Sequence, residues 1–304
     1  AEFMAFHPAQ LDKRARKVAW AEVLRPGVPV RVEVTTRKSK IYHAGAAQSR
    51  IETAIAETLG APIAADAPLT VRARIDDNRV QLSIDTSGEQ LHKRGHKQAV
   101  VKAPMRETLA ALFLRECGYD GTEPVLDPMC GSGTFPIEAA EIALGLKPGR
   151  AREFAFQQLA SFDPNAWAEM RAETTPRQTG LRFYGSDRDD GAIRAATQNA
   201  ERAGVAHVTD FQRRPVGELV RPDGPAGLVI VNPPYGARIG NRKQLFGLYG
   251  SLGQVLMERF KGWRIGIVTS DGGLAKATGL PFLPSGPQVA HGGLKVTLHR
   301  TDPL

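Results

Sequence analysis

The chain has 304 residues, of which 42% are hydrophobic and 24% are charged, and it carries a net charge of +8. This composition indicates one large or two ordinary globular domains, and no apolar run approaches the roughly 20 residues that span a membrane. The two cysteines, Cys117 and Cys130, lack metal-type spacing, which argues against a zinc site or a disulfide framework and favours a reduced, cytoplasmic protein.

The first hundred residues predict a small α+β unit with basic edges. Helical or alternating spacing predicts elements over residues 10–24, Val28–Val34, Gly45–Leu59, Leu69–Ile75 and Val80–Asp85. The last two flank Asp76-Asp77-Asn78, which is a hairpin signal. Residues 1–102 hold 17 Lys and Arg against 11 Asp and Glu, so the basic excess is N-terminal and fits either an acidic partner or a solvated surface.

The start of the chain and a connector add two expectations. Ala1-Glu2-Phe3 precede Met4 and are consistent with a cloning remnant, and an N-terminal domain truncated at its start also fits the sequence. The polar connector Thr86–Gln98 carries the cationic or titratable residues His92, Lys93, Arg94, His96 and Lys97. These side chains could contact phosphate, but the composition favours an ordinary solvated linker before the helix predicted at Ala103–Cys117.

From Val125 onward, predicted strands and helices alternate. The strands are Pro124–Asp127, Leu181–Ser186, Leu228–Val231, Arg264–Thr269 and Leu294–His299, and the helices are Pro136–Leu144, Asp190–Ala203 and Lys243–Phe260. Such alternation predicts a doubly wound α/β sheet whose ligands bind at the carboxyl ends of the strands. Residues 145–180 interrupt the alternation and are expected to form an inserted, mostly helical excursion.

A glycine-rich turn, Asp127–Thr134, leads from the first of these strands into its helix. Gly131 and Gly133 let the backbone pass close to a ligand, and the helix N-terminus offers unpaired N–H groups to an anionic group. The turn is not a Walker loop, and it is not a full Gly-x-Gly-x-x-Gly motif because Pro136 occupies the third position. A purely structural turn therefore remains an alternative.

Asp187 ends the next predicted strand, where a carboxylate can accept both hydroxyls of a ribose. It follows Gly133 by 54 residues instead of the usual spacing of about 20, and the excursion at 145–180 accounts for the excess. Asp187 could instead cap the helix that follows, although Asp189 and Asp190 are better placed to do so.

The motif Asn232-Pro233-Pro234-Tyr235 ends the strand Leu228–Val231. The prolines stop the strand and stiffen the turn, because φ is fixed and a backbone donor is lost. The turn can then present the Asn232 side chain, the Pro233 carbonyl and the Tyr235 ring to one small volume. Two acceptors beside a stacking surface suit a flat base with an exocyclic amine, and the structural alternative is a rigid turn with a packed tyrosine.

In this order, these three motifs resemble those of class I S-adenosylmethionine-dependent methyltransferases that act on exocyclic amines. More closely, the chain is similar to the RNA methyltransferases of the 23S rRNA guanine-N2 type, which join a THUMP domain to a Rossmann-like catalytic domain. The segments that carry the similarity are Val30–Gly45, Val80–Gly95, Lys102–Glu107, Asp127–Ala140 and Val231–Gly240. The resemblance implies an α/β, Rossmann-like class I methyltransferase domain over residues 101–304, preceded by a small α+β THUMP domain over 1–100. It also implies RNA as the partner, and neither a metal nor a membrane.

The resemblance carries site residues over to this chain. For S-adenosyl-L-methionine they are Met105, Arg106, Asp127, Gly131, Ser132, Gly133, Thr134 and Asp187, and for catalysis Asn232, Pro233 and Tyr235. The glycine turn would cradle the methionine part, Asp127 would fix the turn and could also face the ammonium, and Asp187 would take the ribose hydroxyls. Met105 and Arg106 would line the entrance. The family's acidic residue for the adenine amine falls on Pro215, so a backbone group would replace it.

The leading interpretation is an RNA guanine-N2 methyltransferase that acts on large-subunit rRNA. A tRNA guanine-N2 methyltransferase is the nearest alternative, followed by a DNA adenine-N6 methyltransferase, which the THUMP-like unit disfavours. A non-catalytic RNA-binding assembly factor is disfavoured by the intact Asn232 and Asp187. Arg238, Arg242 and Lys243 could bind phosphates or simply be solvated. The motif would hold an adenine amine about as well as a guanine amine, and the sequence leaves the oligomeric state open.

Overall fold

The computed structural model describes residues 1–99, 105–172, 175–235 and 242–304. The chain divides into two compact units. The first unit comprises residues 1–91 and 153–173, and the second comprises residues 92–152 and 174–304. The predicted boundary between the domains lies at residue 100. The observed division differs from it mainly because residues 153–173 of the excursion belong to the first unit.

The described residues form helices and strands in a fixed order along the chain. They are β1 (Glu2–Met4), α1 (Pro8–Ala15), β2 (Val30–Arg37), α2 (Ala44–Leu59), β3 (Leu69–Asp76), β4 (Arg79–Asp85), α3 (Glu107–Glu116), β5 (Val125–Asp127), α4 (Thr134–Ala143), α5 (Pro164–Ala172), β6 (Phe183–Asp187), α6 (Asp190–Ala203), β7 (Thr209–Arg213), β8 (Leu228–Val231), α7 (Arg242–Arg259), β9 (Arg264–Thr269), α8 (Gly272–Ala277), β10 (Val289–His291) and β11 (Leu294–Arg300).

The first unit is built on a four-stranded sheet with the strand order β1-β4-β3-β2. Strands β2 and β3 are parallel, and the other two pairs are antiparallel. The predicted hairpin is confirmed: Asp77 and Asn78 join β3 to β4 with positive φ angles of 49° and 64°, as two-residue hairpin turns require. The helix predicted over 10–24 is shorter, since α1 ends at Ala15, whose carbonyl accepts a hydrogen bond from the Trp20 indole.

The excursion joins the core of the first unit because it supplies apolar side chains that the sheet and helices leave room for. Ala155 and Leu159 are buried in that core, and Phe156 packs against it. Two backbone hydrogen bonds fix the segment, from the Phe156 N–H to the Thr86 carbonyl at 3.0 Å and from the Ala160 N–H to the Val23 carbonyl at 2.9 Å. The expected mostly helical character is limited to α5 and a 3-10 turn.

The second unit contains a seven-stranded sheet with the order β10-β11-β9-β8-β5-β6-β7. Strands β9, β8, β5, β6 and β7 are parallel, whereas β11 and β10 are antiparallel to their neighbours. Helices pack with apolar residues on both faces of the sheet. They connect the parallel strands except β7 and β8, between which lies only a short 3-10 turn. The predicted doubly wound α/β fold is confirmed. None of the helices in the described ranges has the length and apolar character needed to cross a membrane.

Candidate functional site

The three sequence motifs meet at the carboxyl ends of β8, β5 and β6, which are adjacent in the sheet. Asp127 ends β5 opposite Gly185, and Asp187 ends β6 two residues further on. Asn232 follows β8 directly. The chain leaves β5 for β6 on one side and later returns to β8 on the other, so this is the switch point where open α/β sheets bind ligands.

The glycine turn is held in a conformation that only glycine tolerates well. Gly131 and Gly133 have φ angles of 51° and 81°, and Gly133 is the residue before α4. A Cβ on Gly133 would lie 3.0 Å from the Cβ of Ala196 and 3.1 Å from the ring of Phe211. The side chain of Ser132 is buried, so a ligand would meet the backbone of the turn more than its hydroxyl.

The carboxylate of Asp187 ties the end of β6 to the glycine turn. Its Oδ2 accepts a hydrogen bond from the Gly131 N–H at 3.1 Å, and its Oδ1 accepts one from the Asp189 N–H at 3.0 Å. The cap of α6 is instead Asp189, whose carboxylate accepts from the Gly191 N–H at 2.6 Å. The helix therefore does not use Asp187 as its cap, and the Asp187 carboxylate binds the backbone of the glycine turn and of Asp189 instead.

Asp127 supports the turn from inside the fold. Its side chain is 3% exposed, and its Oδ1 accepts a hydrogen bond from the Met129 N–H at 3.0 Å. Burial raises the pKa of this carboxyl well above its usual range, and the nearby charge of Asp187 acts in the same direction. The buried position fits the expected role in fixing the turn better than an exposed contact with a charged ligand.

The Asn232 side chain presents an unsatisfied acceptor. Its Oδ1 is fully buried, and among the described residues it has no hydrogen-bond partner. Leaving a buried acceptor unpaired costs about 1–3 kcal/mol, and binding a donor group of a ligand would remove this cost. Pro233 next to it is buried, and Tyr235 is half-buried, packing against the apolar residues of both sheet faces. Burial raises the pKa of the Tyr235 hydroxyl, which therefore stays protonated.

The remaining predicted residues have different surroundings. Met105 is buried in the apolar core beside α3, and its carbonyl accepts a hydrogen bond from the Lys97 ammonium. Arg106 is exposed and precedes α3. Arg242 is exposed, and its guanidinium lies 5.8 Å from the centre of the Phe246 ring. Lys102 and Arg238, which the sequence motifs single out, lie outside the described residues.

The expectation of a solvated connector is wrong for its central residues. Arg94 and His96 are 6% and 3% exposed. The guanidinium of Arg94 binds both oxygens of the buried Glu138 carboxylate, at 2.6 and 2.9 Å. Glu138 and Glu141 stand one turn apart on the otherwise apolar α4, so the sequence did contain a signal that buried cations must face this helix.

Asn199 on α6 is a further residue that the sequence patterns did not reveal. It is fully buried, and its amide N–H groups donate to the carbonyls of Ser132 at 3.0 Å and Ala99 at 2.8 Å. Its Oδ1 accepts from the Ala99 N–H at 3.2 Å. This one side chain therefore fastens the end of the connector to the glycine turn, and it gives the buried connector a direct link to the site.

His96, Glu138 and Glu141 lie close enough together to suggest a metal site, since their ligand atoms are within 4.8 Å of one another. Arginines already neutralise both carboxylates, because Arg94 binds Glu138 and Arg150 contacts Glu141 at 2.5 Å. Burial and, to a smaller extent, the surrounding arginine and lysine charges lower the pKa of His96 to about 4. A site that repels a proton in this way also disfavours a metal cation.

We expect the His96→Gln variant to resist acid better than the wild type. Because the pKa of His96 falls from 6.5 to about 4 on folding, the neutral ring favours the folded state above pH 6.5, and this advantage is lost as the pH falls towards 4. The variant has no imidazole to protonate. Thermal unfolding should give similar midpoints at pH 7.5 and a higher midpoint for the variant at pH 5. If the unfolding midpoints of the wild type and the variant changed with pH in the same way, the lowered pKa of His96 in the folded state would be contradicted.

A cleft of about 680 Å³ opens at the carboxyl ends of β6 and β7, and it is lined by Arg188, Asp189, Arg213, Pro215 and Glu218. This cleft adjoins Asp187, because Arg188 follows Asp187 in the chain and Arg213 pairs with it in the sheet. Pro215, at the position where the resembled family carries an acid, is therefore one of the residues beside the predicted ribose site. Asp210 lies inside β7, where it pairs with Tyr184 of β6.

Comparison with known proteins gives consistent matches. The family described as "RMKL-like, methyltransferase domain" matches residues 94–281. The Synechocystis protein named "Putative RNA methyltransferase slr0064" is 32% identical over 305 residues, covering 97% of this chain and 79% of its own length. The Ribosomal RNA large subunit methyltransferase K/L of Chromohalobacter salexigens is 34% identical over 295 residues, covering 90% of this chain and 40% of its own length.

The chain spans only 30% to 40% of the length of the K/L relatives that it matches. Among solved structures, SMU.472, a methyltransferase by name and complexed with SAH, superposes with a TM-score of 0.86 at 27% identity. That superposition covers 100% of this chain and 82% of the other. The whole chain therefore has structural counterparts, whereas the K/L relatives contain further segments.

Proposed function

The chain belongs to the family of RMKL-like methyltransferase domains, and from that premise we propose that it methylates the exocyclic N2 amine of a guanine in 23S rRNA. The methyl donor is S-adenosylmethionine. The observation that carries the proposal is the buried Oδ1 of Asn232, which has no hydrogen-bond partner in the described part of the chain and stands at the end of β8 beside Pro233 and Tyr235. The names of the K/L relatives, which refer to large-subunit ribosomal RNA, support the choice of substrate.

The donor fits the residues at the switch point. The glycine turn has a backbone that a Cβ would obstruct, and the Asp187 carboxylate lies beside it with one oxygen bound to the Gly131 N–H. We assign the turn to the methionine part and Asp187 to the ribose, with Met105 and Arg106 at the entrance. When bound, S-adenosylmethionine supplies a methyl group that the sulfonium already activates, so the protein needs chiefly to position the acceptor.

The acceptor chemistry follows from the Asn-Pro-Pro-Tyr turn. A guanine amine is a poor nucleophile, because its lone pair is delocalised into the ring. In our proposal the amine donates one hydrogen bond to the Asn232 Oδ1 and one to the Pro233 carbonyl. These two hydrogen bonds favour a pyramidal nitrogen with an available lone pair. Tyr235 stacks on the base, which contributes about 1–3 kcal/mol. The base must be unpaired or flipped out to reach these groups.

The first unit is proposed to bind the RNA, as a THUMP-like module would. The N-terminal third, which forms most of this unit, contains most of the net positive charge of the chain, since residues 1–102 hold 17 basic residues against 11 acidic ones. A tRNA substrate is the second candidate, and only the names of the K/L relatives favour rRNA over tRNA.

Replacing Asp187 with alanine should weaken the binding of S-adenosylmethionine at least tenfold, or about 1.4 kcal/mol. The variant loses the ribose acceptor and releases the Gly131 N–H from its 3.1 Å hydrogen bond. The affinity of Asp187→Asn should lie between those of the wild type and Asp187→Ala, because the asparagine keeps an acceptor for the turn but loses the charge. Titration calorimetry measures all three, with the exposed Asp190→Ala as the matched control. Equal affinities would refute the assignment.

The proposed substrate is tested by mapping modified nucleosides in cells that lack the gene. We expect one N2-methylguanosine to disappear from 23S rRNA and to return when the wild-type chain is expressed. Loss of that nucleoside from tRNA instead would favour the second candidate. Unchanged rRNA and tRNA would contradict both.

A further inference from the structure

We propose that the loop between β2 and α2 is a docking surface for single-stranded RNA, with Tyr42 as its stacking platform. We call residues 37–43 the basic loop. This inference rests on the proposed function and deepens it, because it says where the first unit would hold the RNA that the second unit modifies. It uses side chains that no part of the methyl-transfer mechanism involves.

The ring of Tyr42 is unusually accessible. Tyr42 is 82% exposed, which makes it the most exposed of the large hydrophobic side chains in the described part of the chain. The next most exposed, Val220, reaches only 57%. A second aromatic residue, Phe6, is 44% exposed, and its ring centre lies 5.7 Å from the ammonium of Lys40. The basic loop and the neighbouring Phe6 therefore place two accessible rings near Lys40, one ring two residues after it in the chain and one beside its ammonium.

The basic loop is held in place although most of its side chains are exposed. Thr36 donates a hydrogen bond to the Tyr42 carbonyl at 3.0 Å, and Asn78 accepts from the Lys40 N–H at 2.9 Å and from the Ser39 hydroxyl at 3.2 Å. Ile41 is 3% exposed and anchors the loop in the core of the first unit. A platform that is already ordered loses little conformational entropy when a ligand binds.

The charge around Tyr42 is predominantly positive, although Asp76 and the exposed Asp77 adjoin Arg37 at the end of β3. Arg37, Lys38 and Lys40 are exposed, and within the described ranges none of them forms an ion pair. Two of these cations act on the carboxylate of Asp76. The hydrogen bond from Arg74 lowers the pKa of Asp76 most, and the charges of Arg37 and Lys38 lower it less. Since Asp76 is bound by Arg74 at 2.8 Å, it does not cancel the charge of the loop.

Cations beside an exposed ring match the chemistry of an unpaired nucleic acid strand. Its phosphates bind Lys and Arg, and its bases stack on aromatic rings when no partner strand occupies them. A membrane surface is a poorer fit, because membrane-binding segments bring a broad apolar helix face and this loop offers only isolated rings. In the same way, the basic loop itself offers isolated rings instead of the apolar groove that a protein partner would use.

The stacking role is tested with the full chain and a fluorescein-labelled single-stranded RNA of about 12 nucleotides, within the usual site size of such surfaces, by anisotropy. We expect Tyr42→Ala to weaken binding about tenfold, within the range that base–aromatic stacking provides. Tyr42→Phe should stay within about twofold of the wild type, because the ring remains. A duplex of the same sequence should bind Tyr42→Ala and the wild type alike. Equal binding of the single strand by Tyr42→Ala and the wild type would overturn the proposal.

The phosphate contacts are tested by the salt dependence of the same binding. The double variant Lys38→Gln/Lys40→Gln should reduce the slope of log affinity against log salt by about 1.4, which corresponds to two lost phosphate contacts on a single strand. The matched control is Lys276→Gln/Lys295→Gln, which removes the same charge from exposed positions of the second unit and should keep the wild-type slope. Equal slopes for both double variants would overturn the proposal.

The two proposals can fail separately. If the wild type methylates rRNA while the Tyr42 and lysine variants bind RNA normally, the docking surface is wrong and the proposed function stands. If these variants lose RNA binding but the wild type transfers no methyl group to any RNA, the docking surface stands and the proposed function fails.

Discussion

Replacing Asn232 with alanine should reduce methyl transfer about 100- to 1000-fold and leave the affinity for S-adenosylmethionine within about twofold. Among the described residues the buried Oδ1 of Asn232 has no hydrogen-bond partner, and our proposal assigns it to the substrate amine. Its removal takes away one of the two acceptors that orient the nitrogen lone pair. It leaves in place the hydrogen bonds that join the glycine turn to Asp187 and Asn199.

The measurement is single-turnover transfer from labelled S-adenosylmethionine to unmodified rRNA, with cofactor affinity determined in parallel by calorimetry. Asn232→Asp keeps an acceptor oxygen and should retain more activity than Asn232→Ala. The matched control is Asn165→Ala, at an exposed position of α5. Transfer at the wild-type rate by Asn232→Ala would contradict the mechanism, and so would a loss of activity explained entirely by weaker cofactor binding.

Replacing Arg94 with alanine should destabilise the second unit by about 3–5 kcal/mol, because the buried Glu138 would lose its bidentate partner. Burial and the neighbouring Glu141 raise the pKa of Glu138, whereas Arg94 lowers it by its charge and its hydrogen bonds, so the buried carboxylate depends on Arg94 to carry its charge. Arg94→Ala loses stability because the buried Glu138 carboxylate is left without its partner. The double variant Arg94→Met/Glu138→Leu should therefore recover most of the lost stability.

Urea unfolding of the full chain, followed by circular dichroism, measures these variants. Arg194→Ala breaks an exposed pair with Asp190 and serves as the control, with little expected change. If Arg94→Ala unfolded like this control, the proposed cost of leaving Glu138 unpaired would be contradicted. The same would follow if the double variant were no more stable than Arg94→Ala.

The strands of the parallel sheet were predictable where burial imposes a strong pattern. Leu228–Val231 is buried along its whole length, and its predicted bounds are confirmed. The edge strand β7 was missed because Thr209–Arg213 is polar and only partly buried, so its sequence does not distinguish it from a loop. The order of the motifs along the chain predicted their meeting at one sheet edge, since parallel strands end on the same side.

The connector shows what the sequence could not reveal. Arg94 is surface-like by residue type, and only the fold brings it to Glu138, 44 positions away. Asn199 likewise acquires its role from Ala99 and Ser132, which lie 100 and 67 positions away. The segment 153–173 lies between elements of the second unit in sequence but packs in the core of the first. Each of these cases depends on distant partners, which a local pattern does not contain.

The most direct test of the central claim is the chemical identity of the methylated product. The purified chain would be incubated with unmodified 23S rRNA and isotope-labelled S-adenosylmethionine, and the RNA would be digested to nucleosides for mass spectrometry. The proposed mechanism predicts labelled N2-methylguanosine in the wild-type reaction and its loss with Asn232→Ala. Label in N6-methyladenosine, on a ring carbon or on a ribose hydroxyl, or N2-methylguanosine formed equally by Asn232→Ala, would contradict it.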